Sequence, residues 1–214
     1  MHASSRYRDL SALAGLGLTS GSKVLLRNLF SINHYYLLER RILPVGVKND
    51  SRMDLSLARA DEGDIEDILA GSKNLGPEDR KEIVSRVLFY RSGFKKNCYI
   101  GRDKKGNIAL LQWLICPDEN SVIDGSYSRK FYRLAPGEVM FENIFVFPRY
   151  RGRGLLSAST GMLLEIARKD GYRRALGYIR KDRIPALNEF LKMGFRLVRL
   201  IREVKFLGIA ARNL

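Results

Sequence analysis

Cysteine and histidine are both scarce, with two of each among 214 residues. Cys98 and Cys116 cannot build a disulfide framework and suit a reducing, cytoplasmic setting. With only His2 and His34 present, a histidine-rich metal centre or a multi-histidine relay is excluded, and no metal is expected. Six prolines and 19 glycines are too few for a collagen-like or low-complexity chain. No apolar run approaches the roughly 18–20 residues that cross a bilayer. Leu10–Leu18, behind Arg6 and Arg8, imitates a signal peptide only faintly. Asp9 interrupts the positive region and glycines dilute the apolar stretch, so none is expected.

Positive charge is what the chain has in excess. Lysine and arginine number 38 against 23 acidic residues, for a net charge of +15, and 45% of residues are hydrophobic, enough for a core. Residues 1–52 carry +5 (eight basic, three acidic) and residues 53–148 carry −1 (14 and 15). Residues 149–214 carry +11 (16 and five). An excess localised in this way asks for an anionic partner: nucleic acid, an anionic membrane surface or a polyphosphate.

Residues 1–52 read as a helical appendage with a linker. Leu25, Leu26, Leu29, Phe30 and then Tyr35–Leu38 recur at helical spacing among Lys23, Arg27, Arg40 and Arg41. Pro44, Gly46 and Asn49–Ser51 end the run. Such a helix suits docking on the main domain or on a second subunit of a homodimer. A peripheral membrane contact through residues 23–41 is the alternative.

From residue 53 to 214 the pattern is that of one α/β (α+β) domain. Asp54–Ala60 alternates like a half-buried strand, and Asp61–Leu69 and the stretch opened by Gly76-Pro77 read as helices. Cys98–Arg102 and Ile108–Cys116 flank a turn at Lys104–Asn107, a hairpin signal. Pro117–Gly137 is polar and too long for a plain connection, which predicts a functional loop. Then follow strand Val139–Phe147, helix Leu155–Lys169, strand Arg174–Ile179, helix Ala186–Met193 and a terminal strand or hairpin Phe195–Phe206. The order predicts a mixed, mostly antiparallel twisted sheet with helices on both faces.

One loop carries chemistry. A hydrophobic strand stops at Pro148, Arg149-Tyr150-Arg151-Gly152-Arg153-Gly154 makes a short turn, and a helix begins at Leu155-Leu156-Ser157. Backbone N–H groups at a helix start converge on one spot, where the macrodipole adds roughly half a positive charge. Gly152 and Gly154 clear side chains from that spot, and the arginines supply planar donors matched to phosphate oxygens. A pyrophosphate is the natural occupant. The spacing fits neither a Walker loop nor the three-glycine dinucleotide fingerprint.

Pro148-x-Tyr150-Arg151-Gly152-Arg153-Gly154-Leu155 resembles the acyl-CoA-binding motif of the GNAT superfamily of N-acetyltransferases. Downstream, Ala186–Phe195 (ALNEFLKMGF) resembles that family's C-terminal segment, and Leu55–Leu69 its opening strand and helix. The resemblance spans about residues 53–207 and implies an acyl-CoA N-acyltransferase-like fold. It implies that Arg151, Gly152, Arg153, Gly154, Leu155, Leu156 and Ser157 wrap the CoA pyrophosphate. It also implies that Phe145 and Val146 pair through their backbones with the pantetheine arm, where the sheet splays. The implied reaction is direct transfer of an acyl group, most simply acetyl from acetyl-CoA, to a primary amine of a small molecule or amino sugar in a ternary complex. The Tyr35–Arg40 run is similar to extensions on bacterial acetyltransferases of polysaccharide biosynthesis.

Three positions depart from the family pattern. Leu156 replaces a final Gly or Ala, Arg183 stands where an asparagine often contacts the cofactor, and Phe190 stands where many members place the tyrosine that protonates the departing thiolate. Arg183 can still reach a phosphate. The base that takes the amine proton is assigned to Glu142, on the strand before the motif, with Glu138 second. Tyr178 on the next strand is the candidate for the missing hydroxyl. The alternatives are transfer to a protein or an RNA-linked amino acid, still as an enzyme, and, from a different class, a non-catalytic CoA- or nucleic-acid-binding module. Nucleic acid is the less expected partner.

Overall fold

Strong local signals start each element. The computed structural model describes residues 30–43, 54–206 and 209–214. Its strands are β1 (Phe30–Arg41), β2 (Ser56–Arg59), β3 (Cys98–Arg102), β4 (Ile108–Ile115), β5 (Glu138–Val146), β6 (Arg174–Arg180), β7 (Arg196–Phe206) and β8 (Ile209–Arg212). The longer helices are α1 (Glu62–Gly71), α2 (Pro77–Arg91), α3 (Leu155–Lys169) and α4 (Ile184–Lys192). Asp61 opens α1 with a capping box: its Oδ1 accepts the Asp64 N–H at 2.8 Å, and its own N–H donates to Asp64 Oδ2 at 3.1 Å. Pro77 sits in the first turn of α2, where its missing N–H costs nothing. The β3–β4 turn closes on Asp103, whose Oδ1 accepts the N–H groups of Lys105 and Asn107, both at 2.9 Å.

The sheet runs β2-β3-β4-β5-β6-β1-β7-β8. Every neighbouring pair is antiparallel except β5–β6, which is parallel. Because strand side chains alternate in direction, successive residues enter different cores. Leu37, Ile100, Trp113, Met140 and Leu176 face the cluster that holds Ile65 and Ile68 of α1 and Ile83 and Val87 of α2. Leu38, Tyr99, Leu114, Phe141 and Ala175 face the one that holds Leu163, Leu164 and Ala167 of α3 and Phe190 of α4. Helices therefore cover both faces, as the element order predicts.

The N-terminal reading needs correction. Residues 30–41 form a strand, not a helix, and this strand lies inside the sheet between β6 and β7. Around Tyr35–Leu38 both its faces are packed, so apolar residues there fall on both sides and their spacing imitates a helical stripe. The sheet thus includes residues on either side of the expected boundary at 52/53, and 30–41 is no separate appendage. Residues 23–29 lie outside the described part of the chain. The stretch Pro117–Gly137 is folded onto the core rather than open. The Asn120 side chain bonds the Leu134 carbonyl and N–H at 2.8 and 3.0 Å, with Ile123, Phe131 and Leu134 buried.

Candidate functional site

Strands β5 and β6 pair from Glu138–Arg174 to Phe141–Gly177 and then part. The cause lies on β5. Asn143 takes a φ of +52°, in the left-handed region that asparagine tolerates better than most residues. The register against β4 shifts between Leu111 and Trp113. A bulge of this kind bends the strand and ends pairing on its far side. Two ladder carbonyls at the bulge find a substitute donor: Arg86 of α2 gives Nε to Asn143 O at 3.0 Å and Nη2 to Ile144 O at 2.9 Å. Beyond the parting, β5 leads into α3 and β6 into α4, so both helix N-termini flank the open end.

The turn before α3 has the shape that its sequence predicts. Gly152 and Gly154 both take a φ of +74°, and a Cβ built on either would meet nothing within 4 Å. The space beside them is therefore open. Gly154 is the N-cap and offers no side-chain bond, so the first-turn N–H groups of Leu155, Leu156 and Ser157 have no intrahelical acceptor. Tyr150 anchors the turn, donating its hydroxyl to Asp103 Oδ2 at 2.7 Å while Arg149 stacks 4.7 Å from its ring. Arg153 also lies over that ring, at 5.8 Å. Leu156 does not crowd the turn; it packs against the core under α3. The Ser157 hydroxyl donates to Glu189 of α4 at 2.5 Å. Residues 151–157 thus form one turn and the first residues of α3.

Two of the expected phosphate arginines are engaged within the protein. Arg151 donates Nε to the Val146 carbonyl at 3.1 Å, stacks 5.6 Å from Phe145 and forms an ion pair with Asp79. Arg183, beside the start of α4, forms an ion pair with Glu82. Asp79, Glu82 and Arg86 fall on one face of α2, which therefore spans the mouth between the two helix N-termini. Phe145 is buried, and with Val146 it pairs with β4 at Leu111 and Leu110. The Val146 carbonyl is already taken by Arg151.

Glu142 lies just past the last β5–β6 pair, opposite Trp113. Its Oε2 accepts the Asn143 N–H at 3.2 Å, and its Oε1 is buried without a hydrogen-bond partner. Burial pushes its pKa up to about 7, against the opposing pull of Arg212 and Arg86. A carboxylate so tuned exchanges a proton near neutrality. Tyr178 of β6 is buried, and its hydroxyl accepts the Tyr132 N–H at 3.3 Å. Burial, with Glu142 adding to it, raises the Tyr178 pKa and keeps the phenol protonated. Glu138 is at the closed end, bonded to Arg174 at 2.6 Å and to the Ala135 N–H at 2.9 Å, which removes it as a base. Phe190 is wholly buried, edge-on to Phe195 at 4.8 Å, so no hydroxyl stands at that position.

The family model for the acetyltransferase (GNAT) family matches residues 81–195, more than half of the chain. The chain belongs to the acetyltransferase (GNAT) family. No curated protein matches it significantly. Among solved structures, it is similar to a GCN5-related glucosamine N-acetyltransferase region of a fungal multi-domain β-N-acetylglucosaminidase (TM-score 0.57, 10% identity, 90% of this chain and 22% of that one). A GCN5-related N-acetyltransferase from Sphaerobacter thermophilus superposes with a TM-score of 0.55 at 13% identity over 91% of this chain and 59% of that one. A GNAT-family acetyltransferase from Novosphingobium aromaticivorans gives 0.51 at 16% identity, over 85% and 64%. The chain therefore spans less than two thirds of these relatives, and the likeness establishes the fold. Membership of this family supports acyl transfer in general, and the family generally uses acetyl-CoA or another acyl-CoA.

Among the described residues, no helix is long and apolar enough to cross a membrane and no cluster of His, Cys, Asp or Glu could hold a metal ion. Sequence reasoning missed Asp79, Glu82 and Arg86, although their helical spacing was readable. It also missed Tyr35, Glu203 and Arg212, which announce themselves by no local pattern.

Proposed function

We propose that the protein is an N-acyltransferase that moves acetyl from acetyl-CoA directly to a primary amine of a small molecule or amino sugar. One observation supports the reading: Glu142, a carboxylate with a buried and unpartnered oxygen on β5, and the glycine turn that follows β5 into α3 lie ten to twelve residues apart, beyond the point where β5 and β6 separate. The N–H groups of 155–157 and the Arg151 guanidinium hold the pyrophosphate, and Arg183 reaches a phosphate from the other rim. The thioester supplies the acyl carbon. Glu142 takes one proton from the ammonium, and the freed amine then attacks the thioester carbon. As the C–N bond forms and the C–S bond breaks, Tyr178 protonates the departing sulfur and regains the proton that the new amide nitrogen loses. Acyl transfer without the usual tyrosine is chemically reasonable, since a thiolate leaves readily near neutral pH.

Mass spectrometry of a metabolite extract incubated with isotope-labelled acetyl-CoA tests the reaction. Labelled amines are expected; a CoA-induced thermal shift with no labelled product would make the chain a binding module instead.

The ion pair of Asp79 with Arg151 competes with the pyrophosphate. Asp79→Asn is expected to tighten acetyl-CoA binding up to about fivefold, because exposed pairs are worth at most about 1 kcal/mol. Calorimetric titration reads this directly. Weaker binding in the variant would mean that Asp79 orients Arg151 for the phosphate rather than withholding it.

A further inference from the structure

Arg212 belongs to the short edge strand β8, where an arginine would ordinarily extend into water, yet its side chain is only 7% exposed. Five groups meet its guanidinium. Nε donates to Glu203 Oε2 on β7 at 2.9 Å, and Nη1 to the Lys130 carbonyl at 3.0 Å. Its plane lies 4.1 Å from the Tyr35 ring centre on β1, 4.8 Å from Tyr178 on β6 and 5.5 Å from Phe131. Its backbone N–H donates to the Arg129 carbonyl at 2.7 Å. The Tyr132 N–H, one residue past Phe131, bonds the Tyr178 hydroxyl. Arg212 thus joins three interior strands to the segment 129–132 that lies over Tyr178.

A buried arginine–glutamate pair is a poor way to gain stability, because desolvation consumes most of the Coulombic attraction. Its presence asks for another reason, and a second buried carboxylate supplies one. Glu142 shares this face of the sheet and has one oxygen with no partner. The groups that act on it come from every element around it: Arg212 of β8, Arg86 of α2, Glu203 of β7, Tyr35 of β1 and Tyr178 of β6. Trp113 of β4 faces it as an apolar wall. Arg212 is the foremost of the cations favouring its ionised form, and Glu203 is the carboxylate that holds Arg212 in place.

We propose that Arg212 is a positioning residue for the transfer site: it fixes the 129–132 segment over Tyr178 and supplies the counter-charge against which Glu142 works. This rests on reading Glu142 as the base, and the test separates the two ideas. In the full chain, carbon-13 NMR follows the side-chain carboxyl of Glu142, assigned by its loss in Glu142→Gln. The titration midpoint is expected to rise by about one to two units in Arg212→Gln. It should stay near the wild-type value in Arg212→Lys and fall in Glu203→Gln, which removes a neighbouring negative charge. The lower limb of the kcat/KM profile against pH should move in the same directions, with the KM for acetyl-CoA unchanged.

A staple with no electrostatic role would lower the melting temperature in all three variants and leave the midpoint where it is, which overturns the proposal. If Arg212→Gln does not fold, a midpoint that fails to fall in Glu203→Gln overturns it equally. Should the wild-type protein turn over no amine at all, the function reading fails, while the NMR titration still decides the role of Arg212.

Discussion

Glu142→Gln is expected to make the protein more stable above pH 7 and, at the same time, to slow acyl transfer by about 10²–10⁴-fold, the usual worth of a general base. The stability effect follows from proton linkage. The folded protein holds the Glu142 proton up to about pH 7, whereas the ordinary value is 4.5. Between these values the folded state binds more protons than the unfolded one, so stability falls as pH rises through that window. Above it the wild-type protein carries the whole burden of a buried, poorly partnered anion, an upper bound of roughly 3 kcal/mol. Glutamine never ionises and escapes it. Denaturant unfolding at pH 4.5 and 8.5 should show near-equal stabilities at the lower pH and a clear advantage for the variant at the higher one. A variant no more stable at pH 8.5, or one with wild-type turnover, would remove Glu142 from the mechanism. The pairing of gained stability with lost activity is what separates a strained functional group from a structural one.

The parts of this site that were legible in the sequence are those whose physics is local. Gly152 and Gly154 between a strand end at Pro148 and an apolar helical stripe specify a left-handed turn and a bare helix start within ten residues. The hydrophobic run Val139–Phe147, stopped by Pro148, put Glu142 on a strand before the turn. What escaped is long-range. Asp79 meets Arg151 and Glu82 meets Arg183 only because α2 crosses the mouth of the sheet, 72 and 101 residues away along the chain. Arg212 reaches Lys130 across 82 residues. The misreading of residues 30–41 has the same origin. Where β1 runs between β6 and β7 and packs on both faces, at Tyr35–Leu38, it shows no polar side, and with no such contrast its period of two is hidden.

Gly154→Val should abolish the thermal stabilisation that coenzyme A confers, and Gly171→Val should not. Both glycines have positive φ, +74° and +81°, and at both a Cβ would meet nothing within 4 Å. A β-branched residue in the left-handed region costs on the order of 1–2 kcal/mol in each case, so the two variants suffer similar backbone strain. Gly171 ends α3 and Gly154 begins it, about 22 Å of helix apart at 1.5 Å per residue. Only the second places its new side chain in the space that a pyrophosphate would use. A ligand at 100 times its dissociation constant stabilises a folded protein by about 2.7 kcal/mol, large enough to be read in either variant. Similar melting temperatures without ligand, followed by a shift in Gly171→Val alone, would locate the phosphate at the start of α3. Equal shifts in both would place the cofactor elsewhere and detach the arginine–glycine turn from the chemistry.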